Sequence, residues 1–562
     1  MKGAFRQSMG WLHTWTGLLV GWVLFFMFLT GTAGYFDTEI DSWMQPERPI
    51  VQNAMTATAA VDAGRQYLES NAPNAARWFI AVPSHRFPEL RLFWRMSPDA
   101  DGKRGRTGRA RLDPETAAPL NYRDTGGGQL LYSMHWRLHY MPVRAAEWIV
   151  GVCTMFMLIA IVTGVIIHKR IFRDFFTLRF AKGQRSWLDA HNVLSVLALP
   201  FHLMITYSGL IFIAYVYMTP VITASYGTAA DAQDSFFNEL LRRTDGASPS
   251  GVAADLMPLR PMVLEAERQW GEGRVRFVEI RHPGDRDASV RIGHEWASPV
   301  RRPPTLTFNG ANGELLRASD GIYSTPLAVR DVLLGLHEGL FAGPVLRWLY
   351  FLSGVMGTAM IGAGMILWTV KRRAKKGDAF GFKLVERLNV GTLAGLPVAV
   401  AAYFWANRLI PVDVAGRVAW EGHTMFIVWG VMLAHAFIRP SARAWVEQLW
   451  LAAAAFGLIP VLNGLTTDKH LGVTLPAGVW ELAGVDLTMF AFGAAFAFAA
   501  IVLGRRGKTL KSGACHPGES RGPGPQARSR LDATAHGALD SGIRRNDGPI
   551  EGREVVRPND RP

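Results

Sequence analysis

Two long apolar segments of this chain each begin with a histidine. His13 lies near the start of "GWLHTWTGLLVGWVLFFMFLTGTAGYF" (10–36), and His191 lies near the start of "WLDAHNVLSVLALPFHLMITYSGLIFIAYVY" (187–217). A histidine at the end of an apolar helix is either an interfacial polar group or a candidate axial ligand of haem iron. A role as haem ligand requires that each of these histidines lies close to a second histidine in the folded protein.

An internal repeat covers about residues 11–373. Each copy contains an apolar segment, a polar loop, a Leu-His dipeptide and a second apolar segment. The first histidine of each copy is followed eighteen residues later by a glycine, at Gly31 and Gly209. The two Leu-His dipeptides end at His139, in "LHYMPVRAAEW", and at His337, in "LHEGLFAGPVLRW".

The repeat predicts two pairs of facing histidines. Both copies enter the membrane in the same direction, and parallel repeats are commonly related by an axis along the membrane normal. This symmetry places His13 near His191 at one face and His139 near His337 at the other. Two facing imidazoles can bind one haem iron. We therefore predict two b-type haems, one near each face, which together carry electrons across the bilayer.

Two further histidines are alternative ligands. His135 precedes His139 by four residues, on the same face of a possible helix, and could replace it. His191 and His202 are eleven residues apart, which on a continuous helix is about three turns, or roughly 16 Å, along one face. His202 could then ligate the haem at the outer face, or donate a hydrogen bond to a haem propionate or a quinone.

Eight segments reach the length of about 20 apolar residues that a bilayer requires. They lie near 11–36, 145–168, 187–217, 345–370, 388–410, 418–438, 445–465 and 485–504. If these spans alternate in direction, the Lys and Arg clusters that flank them all fall on one side, which the positive-inside rule assigns to the cytoplasm. Both termini are then cytoplasmic, and the two long loops are on the outer side.

The predicted fold class is an all-α membrane bundle of about eight helices with two α+β modules inserted between helices 1 and 2 and between helices 3 and 4. Each module reads as a helix followed by short strands and turn residues. The Gly-, Pro-, Arg- and Ser-rich tail predicts disorder. The predicted division is helix 1 (1–36), module 1 (37–143), helices 2 and 3 (144–217), module 2 (218–344), helix 4 (345–370), helices 5 to 8 (371–510) and a cytoplasmic tail (511–562).

Composition excludes several other classes of protein. The chain has 562 residues, of which 49% are hydrophobic and 19% charged, which is typical of an integral membrane protein. Its net charge of +14 comes from clusters beside the apolar segments, so it indicates membrane topology and not nucleic-acid binding. The only cysteines, Cys153 and Cys515, allow neither a disulfide framework nor a thiolate metal site.

These motifs resemble the PepSY-associated transmembrane family. The resemblance rests on "LHTWTGLLVGW…LTG", "DAHNVLSVLALPFHLMITYSGL" and "LHEGLFAGPVLRWLYFLSGVMG", taken in this order, and it covers about residues 5–375. The family consists of iron-regulated bacterial inner-membrane proteins and includes siderophore reductases such as the ferrioxamine reductase. The resemblance implies a four-span di-haem core with two PepSY-like periplasmic modules.

The resemblance implies that the protein is a haem-b oxidoreductase. It would pass electrons to a ferric siderophore in the periplasm and release Fe(II). No dinucleotide or flavin motif is present, so the predicted electron donor is a quinol or a partner reductase. Membrane lipid surrounds the predicted bundle, and siderophore-uptake proteins are further expected partners. The alternatives are a non-enzymatic regulatory or peptide-binding protein and a transporter of siderophore or iron.

Overall fold

The computed structural model describes residues 2–51, 54–84, 86–97, 105–168, 179, 183–229, 232–241, 249–296, 298–321 and 324–512. The chain divides into two units, 1–508 and 509–562. Among the described residues the second unit contains only the end of the last helix. The predicted disorder of the tail, from residue 513 onward, lies outside the described residues.

Long helices connected by short turns make up most of the chain. The helices up to residue 241 are α1 (Lys2–Ala33), α2 (Asp37–Met44), α3 (Ala57–Asn71), α4 (Gly127–Arg137), α5 (Val143–Ile167), α6 (Gln184–Leu197), α7 (Leu199–Phe212), α8 (Ala214–Tyr217), α9 (Thr219–Tyr226) and α10 (Ala232–Leu241). The later helices are α11 (Arg260–Trp270), α12 (Thr325–Glu338), α13 (Pro344–Lys376), α14 (Phe380–Asn389), α15 (Gly395–Leu409), α16 (Arg417–Ile438), α17 (Ser441–Gly457), α18 (Ile459–Thr466), α19 (Leu471–Thr474) and α20 (Trp480–Ser512). A 3-10 turn joins α1 to α2, and a π-helical turn joins α14 to α15.

Seven helical segments in the described residues are long and apolar enough to cross a membrane. They are Ala4–Met44, Val143–Ile167, Pro344–Lys376, Phe380–Leu409, Arg417–Ile438, Ser441–Thr466 and Trp480–Arg505. The bent pair α6–α7 makes an eighth span if it is counted as one. In the core, α1 packs against α5 and α13, α5 packs against α7, and α6 packs against α13, so four spans enclose a common centre. The described structure is thus consistent with the predicted helical membrane bundle.

The third predicted span is broken, contrary to the continuous helix that the sequence suggested. Its two halves, α6 and α7, meet at Ala198 with a bend of 69°. Pro200 explains the break, because proline has no N–H to donate and its ring clashes with the carbonyl four residues earlier. His191 and His202 lie on opposite sides of this bend, so the argument that placed them on one helix face was wrong.

The two long loops share one sheet and do not form two separate modules. The strands are β1 (Ala75–Ala81), β2 (Leu90–Met96), β3 (Thr107–Leu112), β4 (Val275–Arg281), β5 (Ser289–His294), β6 (Thr305–Asn309) and β7 (Leu315–Ser319). They form one seven-stranded antiparallel sheet in the order β3-β2-β1-β4-β5-β6-β7. Strand β1 of the first loop pairs with β4 of the second, and the helices α3 and α11 pack on the sheet over a common apolar core.

A buried carboxylate joins the two loops at the centre of this sheet. The side chain of Glu279 on β4 is fully buried and forms ion pairs with Arg77 of the first loop, at 2.6 Å, and with Arg281 and Arg291 of the second. A buried carboxylate is stable only when it is paired. The pairing of β1 with β4 therefore gives the Glu279 carboxylate a partner, Arg77, from the first loop. In a separate second module, Glu279 could pair only with Arg281 and Arg291.

A buried polar network attaches the C-terminal helices to the first loop. The guanidinium of Arg408 lies 3.9 Å from the ring centroid of Trp43, and the Trp43 indole donates a hydrogen bond of 2.9 Å to Asp486. Nearby, Glu421 accepts hydrogen bonds from Asn407 and from the Thr125 hydroxyl, at 2.8 and 2.7 Å. These contacts hold α15, α16 and α20 against the end of the bundle that carries the sheet, here called the sheet end.

The shared sheet predicts a specific cross-link. In a background with Cys153→Ser and Cys515→Ser, the pair Arg77→Cys and Arg281→Cys should form a disulfide, because these residues are partners across β1 and β4. Paired residues on adjacent antiparallel strands have Cα atoms about 4.5–5.5 Å apart, within disulfide reach. Peptide mass spectrometry under oxidising conditions measures the product.

The matched control combines Arg77→Cys with Ser289→Cys. Ser289 is the partner of Arg281 on β5, so it lies two strand spacings, about 10 Å, from β1. Equal cross-linking in the two pairs would rule out the shared register.

Candidate functional site

His13 and His191 face each other at the end of the bundle opposite the sheet. Their ring centroids are 6.1 Å apart. The Nδ1 of His13 is 2.8 Å from the carbonyl oxygen of Ala160 on α5, and the Nδ1 of His191 is 2.9 Å from that of Met360 on α13. A carbonyl oxygen only accepts hydrogen bonds, so each Nδ1 must carry the proton. Each Nε2 then has a free lone pair, which is the form that binds a metal.

Each of these two rings lies against a glycine of the neighbouring span. A Cβ atom on Gly164 would be 3.3 Å from the His13 ring, and one on Gly364 would be 3.1 Å from the His191 ring. Each glycine follows the hydrogen-bonding residue by four positions, which is about one helical turn. The two copies of the repeat therefore hold their histidines in the same way.

A second pair, His135 and His337, lies at the sheet end. The ring centroids are 6.4 Å apart and the ring planes differ by 24°. The Nδ1 of His337 is 2.9 Å from the Ser208 hydroxyl oxygen, and that of His135 contacts the carbonyl oxygen of Tyr132. Cβ atoms on the two repeat glycines, Gly31 and Gly209, would each be 3.3 Å from these rings.

His139 does not face His337. Its ring stacks on Phe426 of α16, with centroids 5.3 Å apart, and it contacts Tyr140, whose hydroxyl meets His423. The backbone of His139 has a φ of 38°, and both neighbours also have positive φ, an arrangement that non-glycine residues rarely adopt. The structure therefore places the alternative candidate, His135, in the position expected for His139.

His202 lies on α7, within the four-span core. Its side chain is 1% exposed, and its ring contacts Phe28 and Phe201. Its ring has a backbone contact with Ser353, and a Cβ on Gly357 would be 3.1 Å from its Nε2. An imidazole has two ring nitrogens, so the Ser353 contact leaves one of them available to another group.

Desolvation keeps the sheet-end pair neutral. Burial lowers the pKa of His337 to about 3, with a smaller contribution from the neighbouring His135. Burial also lowers the pKa of His135, against the effect of its contact with the Tyr132 carbonyl. Both rings are therefore neutral imidazoles near neutral pH, as metal ligation requires.

The two pairs fit axial ligation of haem iron. An iron ion about 2 Å from each Nε2, the usual metal–imidazole distance, would set two ring centroids about 6 Å apart. Among the described residues there is no group of three or more His, Cys, Asp or Glu side chains placed to bind a metal ion. A haem supplies four nitrogens to its iron, so two histidines from the protein would complete the coordination of that iron.

Comparison with known proteins agrees with this architecture. Residues 10–371 match the sequence model of the PepSY-associated TM region. The chain belongs to this family. It is a multi-pass membrane protein with a mostly helical bundle and one β-sheet region. It is also similar to an uncharacterised protein of Pseudomonas aeruginosa, at 27% identity over 387 residues, which cover 65% of this chain and 92% of that protein.

The family match ends inside α13. The seven helices from α14 to α20 therefore lie beyond the family region, in agreement with the resemblance seen in the sequence. The sites formed by His13, His135, His191 and His337 all lie within the matched residues.

Sequence reasoning identified the histidines but not what holds them. The Ala160 and Met360 carbonyls belong to the backbone and leave no sequence signal. The glycines were visible in the repeat as "LTG", "YSG", "TGVIIHKR" and "AGMILWTVKRR", but their contacts with the rings were not. A search for glycines at equal positions in both copies would have indicated them.

The glycine contacts predict that an alanine substitution on α13 disturbs the histidine site at one glycine and not at another. Gly364→Ala should displace the His191 ring, because its Cβ would lie 3.1 Å from that ring, and a haem ligated by His191 would then be retained less well. The control is Gly362→Ala on the same helix, whose Cβ would lie 3.6 Å from Phe25, an ordinary contact. The haem-to-protein ratio of the purified variants is the measurement. Equal ratios would contradict the proposed role of the glycine.

Proposed function

We propose that this protein is a di-haem transmembrane oxidoreductase of the inner membrane that reduces a ferric siderophore in the periplasm. One observation carries the proposal: two histidine pairs at opposite ends of one four-span core, each with centroids about 6 Å apart. The equivalent glycines and the Nδ1 contacts support a common role for both pairs. The family resemblance supplies the Fe(III) acceptor.

His13 and His191 would bind one b-type haem, and His135 and His337 the other. Bound haem supplies a one-electron carrier whose potential depends on axial ligation and burial. The protein residues orient the ligands: carbonyl oxygens at Nδ1 fix the tautomers of His13, His191 and His135, and the adjacent glycines fix each ring position. His202 lies in the same core, and the ring nitrogen that does not contact Ser353 would donate a hydrogen bond to a haem propionate or ligate in place of a sheet-end histidine.

The sheet end is the periplasmic end in this proposal. The basic clusters at the other ends of the spans support this orientation through the positive-inside rule. Electrons would come from a quinol or a partner reductase and pass to the ferric chelate beside the sheet. Reduction to Fe(II) releases the metal, because the hard oxygen ligands of siderophores bind Fe(II) weakly.

Haem stoichiometry tests the proposal. The wild-type protein should show a b-type reduced-minus-oxidised spectrum with two haems per chain, and His13→Ala and His337→Ala should each lose about one. His139→Ala serves as the matched control, because His139 stacks on Phe426 outside both pairs. Absence of b-type haem in the wild-type protein would refute the proposal.

A reductase assay tests the acceptor. The reduced wild-type protein should be reoxidised by a ferric hydroxamate chelate with formation of Fe(II), and both histidine variants should lose most of this activity. Reoxidation by oxygen alone, with no response to the chelate, would exclude siderophore reduction while leaving the haem sites intact.

The exposed edge of the sheet favours a second candidate function, peptide binding. Strand β7 lies at one edge, and Leu315 and Leu316 on it are 44% and 54% exposed. Exposed edge strands can pair with an extended peptide. A haem-free protein that binds a periplasmic peptide at this edge would support this function over electron transfer.

A further inference from the structure

A large cavity separates the family core from the C-terminal spans. Its volume is about 1150 Å³, which exceeds the usual range for small-ligand pockets. Its walls come from α1 and α13 on the core side and from α15, α17 and α20 on the other. Because α15, α17 and α20 lie beyond the family match, the cavity is a property of this longer chain.

The part of the cavity within the spans is apolar. Phe25 and Val355 line it on the core side, and Phe456, Phe492 and Phe496 line it on the C-terminal side. The Phe456 ring lies 5.7 Å from Phe492 and 5.8 Å from Phe496, measured between centroids. Such a lining binds an apolar chain and not a hydrophilic solute.

The sheet end of the cavity contains hydrogen-bonding atoms that lack partners. Glu39 is 9% exposed; its Oε1 pairs with Arg347, and its Oε2 has no hydrogen-bond partner among the described residues. The Nε of Arg347 is also buried and has no hydrogen-bond partner there. A carboxylate oxygen that can accept and a guanidinium that can donate therefore line the same cavity. Buried polar atoms without partners indicate a missing ligand or water.

The charges at this end favour a neutral head group over a phosphate. Each arginine that lines the cavity already has a carboxylate partner: Arg347 has Glu39, Arg48 has Glu89 at 3.2 Å, and Arg86 has Asp37 at 3.0 Å. The remaining lining cation, Lys469, donates a hydrogen bond to the Arg48 carbonyl oxygen, and its charge is balanced in number by the lining carboxylate Glu481. A phospholipid phosphate would meet these carboxylates and repel them. A hydroxyl group would instead donate to Glu39 Oε2 without adding charge.

The cavity lies one helix away from the sheet-end histidine pair. Thr32 and Phe36 line the cavity, whereas their neighbours Gly31 and Tyr35 contact the pair: Gly31 lies against His135, and the Tyr35 hydroxyl is 3.5 Å from the His337 carbonyl oxygen. The same helical segment thus separates the two sites. A helix is about 10 Å wide.

We propose that this cavity binds an isoprenoid quinol and oxidises it, which rests on the proposed di-haem function. The isoprenoid chain lies among the phenylalanines, one quinol hydroxyl donates to Glu39 Oε2, and Arg347 Nε donates to a quinol oxygen. The quinol loses two electrons and two protons and becomes a quinone. In the proposed di-haem function the two electrons would leave one at a time and would reduce two Fe(III) chelates to Fe(II). One proton passes to Glu39 and then to solvent at the sheet end, and the other passes directly to water.

A photoreactive quinone locates the site without relying on haem. An azidoquinone added to the purified full-length protein should label peptides of α13 and α20 that line the cavity, and decylubiquinone should compete. Ala495→Phe should reduce labelling about tenfold or more, because Ala495 lines the cavity. Ala494→Phe is the matched control, since Ala494 is an exposed neighbour on the same helix outside the lining. Labelling elsewhere, or equal labelling in both variants, would overturn the proposal.

A second variant tests the head group. Glu39→Gln should weaken decylubiquinol binding about tenfold, as expected for loss of a charged hydrogen-bond acceptor, and weaken decylubiquinone binding much less. Equal weakening of both, or competition by phosphatidylglycerol in place of decylubiquinone, would assign the cavity to another ligand. Quinone labelling in a protein without haem would contradict only the di-haem function. Haem with no labelling of the cavity would contradict only the quinol site.

Discussion

The structure depends on the close contact between each core histidine and the neighbouring helix. Four rings lie against four glycines, and the Nδ1 atoms of His13 and His191 contact backbone carbonyls of the adjacent spans. Apolar surface drives little association between helices inside a bilayer, so small residues and polar contacts determine which helices pack together. The contacts that would orient a metal ligand are therefore the same contacts that hold the core spans at their observed spacing.

The same symmetry extends from the membrane to the sheet. Strands β1 and β4 each follow an equivalent helix of the repeat, and they pair antiparallel with each other at the centre of the sheet. A two-fold axis that relates two copies of a strand produces an antiparallel pair. The repeat therefore explains both the facing histidines and the joined sheet, and the shared sheet connects the ends of spans on both sides of the core. Glu279 stabilises this connection because its buried charge has partners from both loops.

The C-terminal helices extend this core and also create a second site. The network around Arg408, Trp43 and Asp486 closes part of the sheet end, and these three side chains are partners of one another. Deeper in the spans, α1 and α13 do not pack closely against α15, α17 and α20, and a large apolar cavity lies between them. This arrangement places the cavity and the sheet-end histidine pair on opposite sides of the same segment of α1.

Much of this protein could be predicted from its sequence, because length, hydropathy and an internal repeat are local properties of the chain. They determined the membrane bundle, the family and the histidines of the candidate sites, including His135 as an alternative to His139. Tertiary structure alone decided which histidines meet, because His135 and His139 are four residues apart and only the left-handed turn at residues 138–140 separates their directions. It alone joined the two loops, since strand pairing across about 200 residues leaves no local signal. The cavity likewise depends on how far apart helices distant in sequence pack, which no single segment encodes.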